Sequence, residues 1–300
     1  IHAVATGFKY ILEKRSGDKL QVEIYPSASL GNEVDVMEAL NNNVIQVSMA
    51  SAAGFHRIFP PAMSLFLPYN FRNEDIALEV VNGPFGQELL EAFSEKTGLI
   101  ALGVAGGYTY NAYTNNKRPI LKPNDLKGLK MRSMDPMGIA MFESLGASAV
   151  AISFSELYTS LQTGLVDGQT NPPFIVSWMK LNEVQKYMSI VNAQWGYQFL
   201  LCNKQWYDGL TPIEQNYVRD AVKAGNVAGN GVAMLLDDRK ITELKEKGMQ
   251  VDILSDEQIR AFQKTARPKC LDWARKNIGA EWIDKLEKAI SEAEKKLGYK

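Results

Sequence analysis

The hydrophobic rhythm of the chain changes about every ten residues. In residues 19–26, KLQVEIYP, apolar and polar positions alternate and a proline ends the run, which predicts a strand. Asn32 then caps a predicted helix carrying Val34, Met37 and Leu40, which the Asn41-Asn42-Asn43 turn ends. Residues 44–51, VIQVSMAS, read as the next strand. Asn73 and the Gly83-Pro84 break bracket one helix, FGQELLEAFSEKTG is a second closed by Gly98, and LIALGV follows as a buried strand.

The middle third repeats this alternation more tightly. DLKGLKMRS places Leu129 and Met131 on one strand face and Lys130 and Arg132 on the other. Asp135 caps a helix with Pro136 at its first position, where a missing N–H costs nothing. Met137, Ala140, Met141 and Leu145 form its buried stripe, and Gly146 ends it. AVAI, residues 149–152, is a short strand, and Ser153 with Glu156 has the spacing of a capping box. Leu157 and Leu161 lie one turn apart on the helix that follows; Gly164 closes it and LVDGQ is another short strand. Strand, helix, strand, helix, strand with such short connections implies parallel pairing through right-handed crossovers.

From the Thr211-Pro212-Glu214 capping box onward, helical periodicity runs without proline to about Lys247. At 1.5 Å per residue this is roughly 50 Å, long enough to bridge two lobes, with Gly225, Gly229 and Gly231 as places where it could bend. MQVDIL is a late strand. Two helices follow, the first opened by Ser255 and disturbed at Pro268; residues 287–300 read as a solvated helix face. The pattern as a whole is α/β.

Composition narrows the function classes. The 300 residues are 46% hydrophobic and 22% charged, with a net charge of -1, so no basic excess exists to grip nucleic acid or an anionic membrane. Apolar runs stop well short of the roughly 20 residues of a membrane span. Cys202 and Cys270 allow one disulfide or two separate buried thiols. Two histidines, His2 and His56, and no metal-type Cys/His spacing argue against a metal site, and no cofactor motif is present.

Ligands of open α/β sheets sit at the carboxyl ends of the strands. Arg132 ends one predicted strand, Ser153 and Phe154 follow the second, and Gln169, Thr170 and Asn171 follow the third. A planar guanidinium matches a carboxylate with two parallel hydrogen bonds and stays charged. A buried Arg132 therefore calls for an anion, either an acid of the chain or an acid from outside. Asn171 reads as a second donor or as a turn residue before Pro172, Phe154 as ligand wall or core, and Asp167 as a structural acid bonding nearby backbone.

DLKGLKMR followed by SELYTSLQTGLVDGQTNPP resembles the paired signatures of solute-binding proteins of tripartite ATP-independent periplasmic (TRAP) transporters, and VEIYPSASLGNEVDVMEAL, LPYNF and EVQKYMSI extend the likeness over most of the chain. The resemblance implies a two-lobed periplasmic binding protein fold, with a ligand cleft between the lobes and a long helix crossing both. Residues 1–107 and 199–235 are expected to form one lobe, 108–198 and 236–300 the other. It also implies capture of a small organic acid for membrane permease subunits, by a mature periplasmic protein whose signal peptide is not in this chain. By position, Arg132 matches the arginine that clamps the ligand carboxylate, Asn171 its amide partner, Phe154 the ring that packs on the ligand and Gln198 a polar contact. From the residues alone, Trp195 reads as an apolar cleft contact or as core, Ser51 as the first lobe's contact or as a helix or turn cap, and Tyr108 as a hydroxyl donor or as surface; with Asn111 they complete the expected site.

Three departures stand out. Tyr110, Asn111 and Ala112 stand where many members carry another arginine, Thr170 replaces a usual acid, and the family's strand before the helix near His2 is lacking. One clamp and an aromatic wall point to a monocarboxylate, such as a keto or hydroxy acid with an apolar or aromatic body; a dicarboxylate or sugar acid is the alternative if lysine or polar residues of the first lobe reach its distal end. Two other readings use the same cleft: a sensor subunit, and an enzyme. No phosphate loop, dinucleotide glycine pattern or nucleophile elbow supports the enzyme.

Overall fold

In the computed structural model, which describes residues 2–26, 29–105 and 110–299, the strands sort into two sheets. The first third folds as α1 (His2–Ser16), α2 (Glu33–Asn41), β1 (Val47–Ala50), the single turn α3 (Ala52–Phe55), α4 (Glu74–Asn82), α5 (Pro84–Thr97) and β2 (Ile100–Ala105). The middle third gives β3 (Ala112–Asn115), β4 (Lys130–Ser133), α6 (Pro136–Ser144), β5 (Ser148–Ala151), α7 (Leu157–Gln162), β6 (Gly168–Asn171), α8 (Pro173–Trp178) and β7 (Tyr187–Ile190). The last third is β8 (Gln198–Cys202), α9 (Lys204–Asp208), α10 (Pro212–Glu246), β9 (Gln250–Ile253), α11 (Asp256–Ala274) and α12 (Ala280–Lys296).

Local chemistry sets the helix ends. Asn32 accepts from the Val34 and Asp35 N–H groups, and the Asp35 side chain returns a bond to the Asn32 N–H. Asp135 Oδ1 accepts from the Gly138 N–H at 2.8 Å, with Pro136 in the first turn of α6. The boxes Thr211/Glu214 and Ser255/Gln258 open α10 and α11. Gly98 closes α5 at φ 74°, a left-handed conformation that costs glycine nothing.

The first sheet has order β1-β8-β2, with β8 antiparallel to both neighbours. The second has order β5-β4-β6-β3-β7-β9. Its β4 runs parallel to β5 and β6, as the middle-third pattern implies, while β3 is antiparallel to β6 and β7. The chain passes between the sheets from β2 to β3 and from β7 to β8, and Tyr110 and Trp195 pair as an isolated bridge between these two passages. α10 is a third crossing. It packs on α1 and β2 beside the first sheet and on α8 and β9 beside the second. Its 35 residues span roughly 52 Å.

Aromatic rings fill the core behind the first sheet. Phe55 meets Phe93 and Phe199 edge-on, with centroids 4.9 and 5.2 Å apart. Cys202 and Cys270 are separate buried thiols, each pushed up to about 12 by burial.

Seven expectations need correction. Residues 19–26 are extended but pair in neither sheet; side chains of α1 serve their backbone instead, Glu13 accepting from the Val22 N–H at 2.9 Å and Lys9 donating to the Val22 carbonyl at 2.7 Å. Val34 is exposed, so Met37 and Leu40 alone anchor α2. Ser153 gives its hydroxyl to the Glu156 carboxylate at 2.6 Å rather than capping, and α7 starts later, at Leu157. β6 begins at Gly168, so Gln169, Thr170 and Asn171 lie within the strand and not beyond it.

The glycines of α10 do not interrupt it. Gly225 lets α1 close in: a Cβ there would stand 2.7 Å from the Val4 carbonyl oxygen. Pro268 sits inside a continuous α11, and the irregularity falls later, in a π turn at Arg275–Gly279. α12 is more than a solvated face. It buries Ile283, Leu286, Ile290 and Ala293 and packs on α4 and α5 beside the first sheet, while α11 packs on α6 beside the second.

Candidate functional site

In a sheet, residues paired in register share a face. Arg132 on β4 pairs with Gln169 on β6 and with Val150 on β5, and Asn171 lies two residues beyond Gln169. Arg132 and Asn171 therefore stand on one face, at the carboxyl ends of adjacent parallel strands. Met131 and Gly168 share the other face, which packs toward α6.

Arg132 is 1% exposed. Its Nε donates to the Ile152 carbonyl at 2.8 Å, just past β5, which fixes the plane of the guanidinium. Among the described residues its Nη2 has no hydrogen-bond partner. Among the described residues no carboxylate lies within 4.0 Å of the guanidinium. Burial lowers its pKa to about 10, and the charges of Asp135 and then Glu33 partly offset that cost. Glu33 belongs to α2 and Arg132 to β4, so the guanidinium feels charge from both sides of the gap between the sheets. Asp135 is itself buried; desolvation pushes its carboxyl up, opposed by the Gly138 N–H, by Arg132 and by His56.

The Asn171 amide is the head of a directed hydrogen-bond chain. Asn171 Nδ2 donates to Gln169 Oε1, Gln169 Nε2 to Thr114 Oγ1 at 2.9 Å, and Thr114 Oγ1 to Gln185 Oε1 at 2.8 Å. Gln169, Thr114 and Gln185 are buried, so the chain holds the amide in one orientation. Phe154 lies two residues past the carbonyl that holds Arg132, and its ring stacks on Trp178 at 6.4 Å. Asp167 is structural, as expected: Oδ2 accepts from the Lys130 N–H at 2.9 Å, and Lys117 pairs with it at 3.3 Å.

Asn111 precedes β3 and lies at the same end of the second sheet, its N–H bonded to the Gln194 carbonyl at 2.9 Å. Ser51 and Gln198 share the facing end of the first sheet, because Ala50 pairs with Phe199. Trp195 lies in the second passage between the sheets but is 1% exposed; it stacks on Tyr197 and meets Phe71 edge-on. It belongs to the buried core of the first sheet, the second of its two expected readings. Tyr108 lies outside the described residues. The structure thus groups Arg132, Asn171, Phe154 and Asn111 on one side and Ser51 and Gln198 on the other. Gln169 was legible as the residue two before Asn171 on a period-two strand, whereas nothing in the sequence marked Glu33 beyond a helix first turn.

Two sheets facing across a gap, repeated chain crossings between them and a buried cation at the strand ends define a two-lobed ligand-binding protein. Comparison with known proteins gives the family. Residues 1–277 match DctP, the bacterial extracellular solute-binding protein family 7. The chain belongs to this family, whose members are the solute-binding proteins of TRAP transporters.

It is 32% identical over 301 residues to the 2,3-diketo-L-gulonate-binding periplasmic protein YiaO of Escherichia coli, covering 98% of this chain and 88% of that one. It is 31% identical over 293 residues to the C4-dicarboxylate-binding periplasmic protein DctP of Rhodobacter capsulatus, covering 96% and 86%. Its fold matches the sugar acid binding protein DctPAm of Advenella mimigardefordensis, solved with galactonate, with a TM-score of 0.91 at 27% identity over 97% of this chain and 93% of that one. The family is periplasmic, and no helix among the described residues is long and apolar enough to cross a membrane.

Proposed function

We propose that this protein captures a small organic acid in the periplasm and delivers it, chemically unchanged, to the membrane permease subunits of a TRAP transporter. The ligand carboxylate bonds Arg132 Nη2 and the Asn171 amide, Phe154 packs on the ligand body, and Ser51, Gln198 and Asn111 reach it from the rim. Residues 1–107 with 199–235 form one lobe and 108–198 with β9 and α11 the other, α12 returning to the first. Relatives that bind diketogulonate and galactonate favour acids of sugar-acid size.

The observation that carries this reading is a 1%-exposed arginine with an Nη2 that has no hydrogen-bond partner and no ion pair among the described residues. Closure of the lobes lowers the effective dielectric around the new ion pair and strengthens it. Breaking such a pair costs about 3–5 kcal/mol, or roughly two to four decades of affinity.

Thermal-shift screening against sugar acids, keto acids and dicarboxylates, followed by titration calorimetry, tests it. Arg132→Ala should abolish tight binding with the fold intact. Arg132→Lys should not restore it, because an ammonium lacks the planar fork that gives Nε to the Ile152 carbonyl and Nη2 to the ligand at once. Wild-type affinity in either variant removes Arg132 from the site. Mass spectrometry of ligand released by denaturation should return the acid unaltered; a converted product would point to catalysis.

A further inference from the structure

We infer that a second copy of this chain docks along the middle of α10, with Leu235 of each copy seated in the groove that the other forms between α1 and α10. The pairing does not involve the cleft, so no ligand is needed for it. Large apolar side chains left open along one stripe of a helix mark a contact surface. Val227 is 74% exposed and Leu235 70%, and a Cβ built on Gly231 between them would meet nothing within 4 Å. Positions 227, 231 and 235 are spaced four apart and lie on one face. They fall between the part of α10 that packs on α1, around Gly225, and the part held to α8 by the Ser177–Glu243 bond.

The same helix carries the socket. Ala224, Val227, Ala228 and Gly231 stand at positions i, i+3, i+4 and i+7, the four-residue hole that receives a knob side chain in paired helices. The first three line an open groove of about 480 Å³ that Ile11 of α1 flanks. It is shaped by the close approach of α1: a Cβ on Gly7 would stand 3.2 Å from the Gly225 Cα and 3.3 Å from the Ala228 Cβ. Leu235 lies one turn past Gly231 and cannot fold back into it. A two-fold axis at Gly231 that sets two α10 helices antiparallel puts Leu235 of one copy roughly 6 Å past the axis, opposite the hole centred roughly 6 Å before it on the other. Two equal insertions result, as a closed two-fold contact requires.

The charges obey the same axis. Asp238 of each copy comes beside Lys223 of the other; both are exposed, and neither has an ion pair among the described residues. At 3.6 residues per turn, Lys223 and Asp238 lean to the same side of the stripe. Arg239 leans to the α1 side, where Arg15 is already paired with Asp220 at 3.6 Å. Knob, socket and opposite charges, balanced about one glycine, favour a second copy over an unrelated partner, which would need only one of them. The contact covers about three helical turns, at the small end of specific interfaces, so a dissociation constant of roughly 1–100 μM is expected.

Sedimentation velocity of the ligand-free protein, from about 1 to 300 μM, should show a reversible monomer–dimer equilibrium. Leu235→Asp should weaken it about a hundredfold, since two buried side chains are lost per dimer; the monomer's melting point should hold, because Leu235 is exposed there. Lys223→Asp should weaken it about tenfold, and adding Asp238→Lys in the same chain should restore it. Gly231→Cys should form a disulfide with its own counterpart under mild oxidation, because helices about 8–10 Å apart bring facing Cα atoms to roughly 4–6 Å. Leu235→Cys, equally accessible but roughly 12 Å from its counterpart, should not; the native thiols Cys202 and Cys270 are buried and stay out of the reaction. A monomer throughout this range, even one whose α10 face serves a permease subunit, overturns the inference. So does a dimer that Leu235→Asp leaves intact or that Gly231→Cys fails to cross-link.

Discussion

Replacing Arg132 with methionine should make the ligand-free protein more stable while destroying its function. The guanidinium is 1% exposed, has no ion pair among the described residues, and burial takes its pKa down to about 10. That depression corresponds to about 3 kcal/mol against the charged side chain in the folded state. Methionine is of similar length, fills irregular space and carries no charge. The substitution also removes the bond from Nε to the Ile152 carbonyl, worth about 1.5–3 kcal/mol. The balance is a gain of about 1 kcal/mol, or roughly 1.5–2 °C in melting temperature for a chain of this size. Ligand should raise the wild-type melting point, by about 2.7 kcal/mol of stabilisation at a hundredfold excess over Kd, and leave the variant unmoved. Scanning calorimetry of both proteins, with and without a ligand found by screening, reads all four values. A ligand-free variant markedly less stable than wild type would refute the reasoning, since it would mean that Arg132 is satisfied internally.

Gly168→Ala should lower stability by about 1–3 kcal/mol and weaken ligand binding: a Cβ would collide with the Thr114 carbonyl and lie 2.8 Å from Asn115 Cβ, pushing β6 off β3. Gly231→Ala, in a helix with nothing within 4 Å, should instead stabilise by about 0.5–1 kcal/mol; equal melting points for the two variants would contradict both claims. Cys202 and Cys270, buried and pushed up to about 12, should resist iodoacetamide at pH 8 in the native protein and react on denaturation, and fast native labelling of either would sink this. Glu243, lowered to about 2 chiefly by Lys240 and Lys247, also accepts from Ser177 of α8 at 3.1 Å. Its folded value is depressed, so its stabilising contribution is present above the ordinary carboxylate range and is lost as pH falls toward 2. A carboxyl NMR titration that placed Glu243 near 4.3 would show the clamp to be inactive.

Much of this architecture was legible because it rests on short-range chemistry. The Asn32, Asp135, Thr211 and Ser255 caps lie where their side chains can reach the third N–H of a helix, and the parallel β4, β5 and β6 follow from short strand-helix connections. The misreadings needed long-range information. Residues 19–26 alternate like a strand, but alternation cannot say whether a partner exists. Pro268 reads as a breaker, yet α11 runs on through it. Gly225 reads as a bend because its use, the close approach of α1, depends on a residue more than 200 positions away. At the site, Arg132 and Asn171 were visible as strand-end residues of the right chemistry. Glu33 was not, because its role depends on how two lobes meet.

The position of the bound acid is the most direct test. In a crystal structure of the protein with a ligand that stabilises it, one carboxylate oxygen is expected about 2.7–2.9 Å from Arg132 Nη2, with the Asn171 amide on the same carboxylate. A ligand whose carboxylate lies elsewhere, with Nη2 turned to Asp135 or Glu33, would contradict the account.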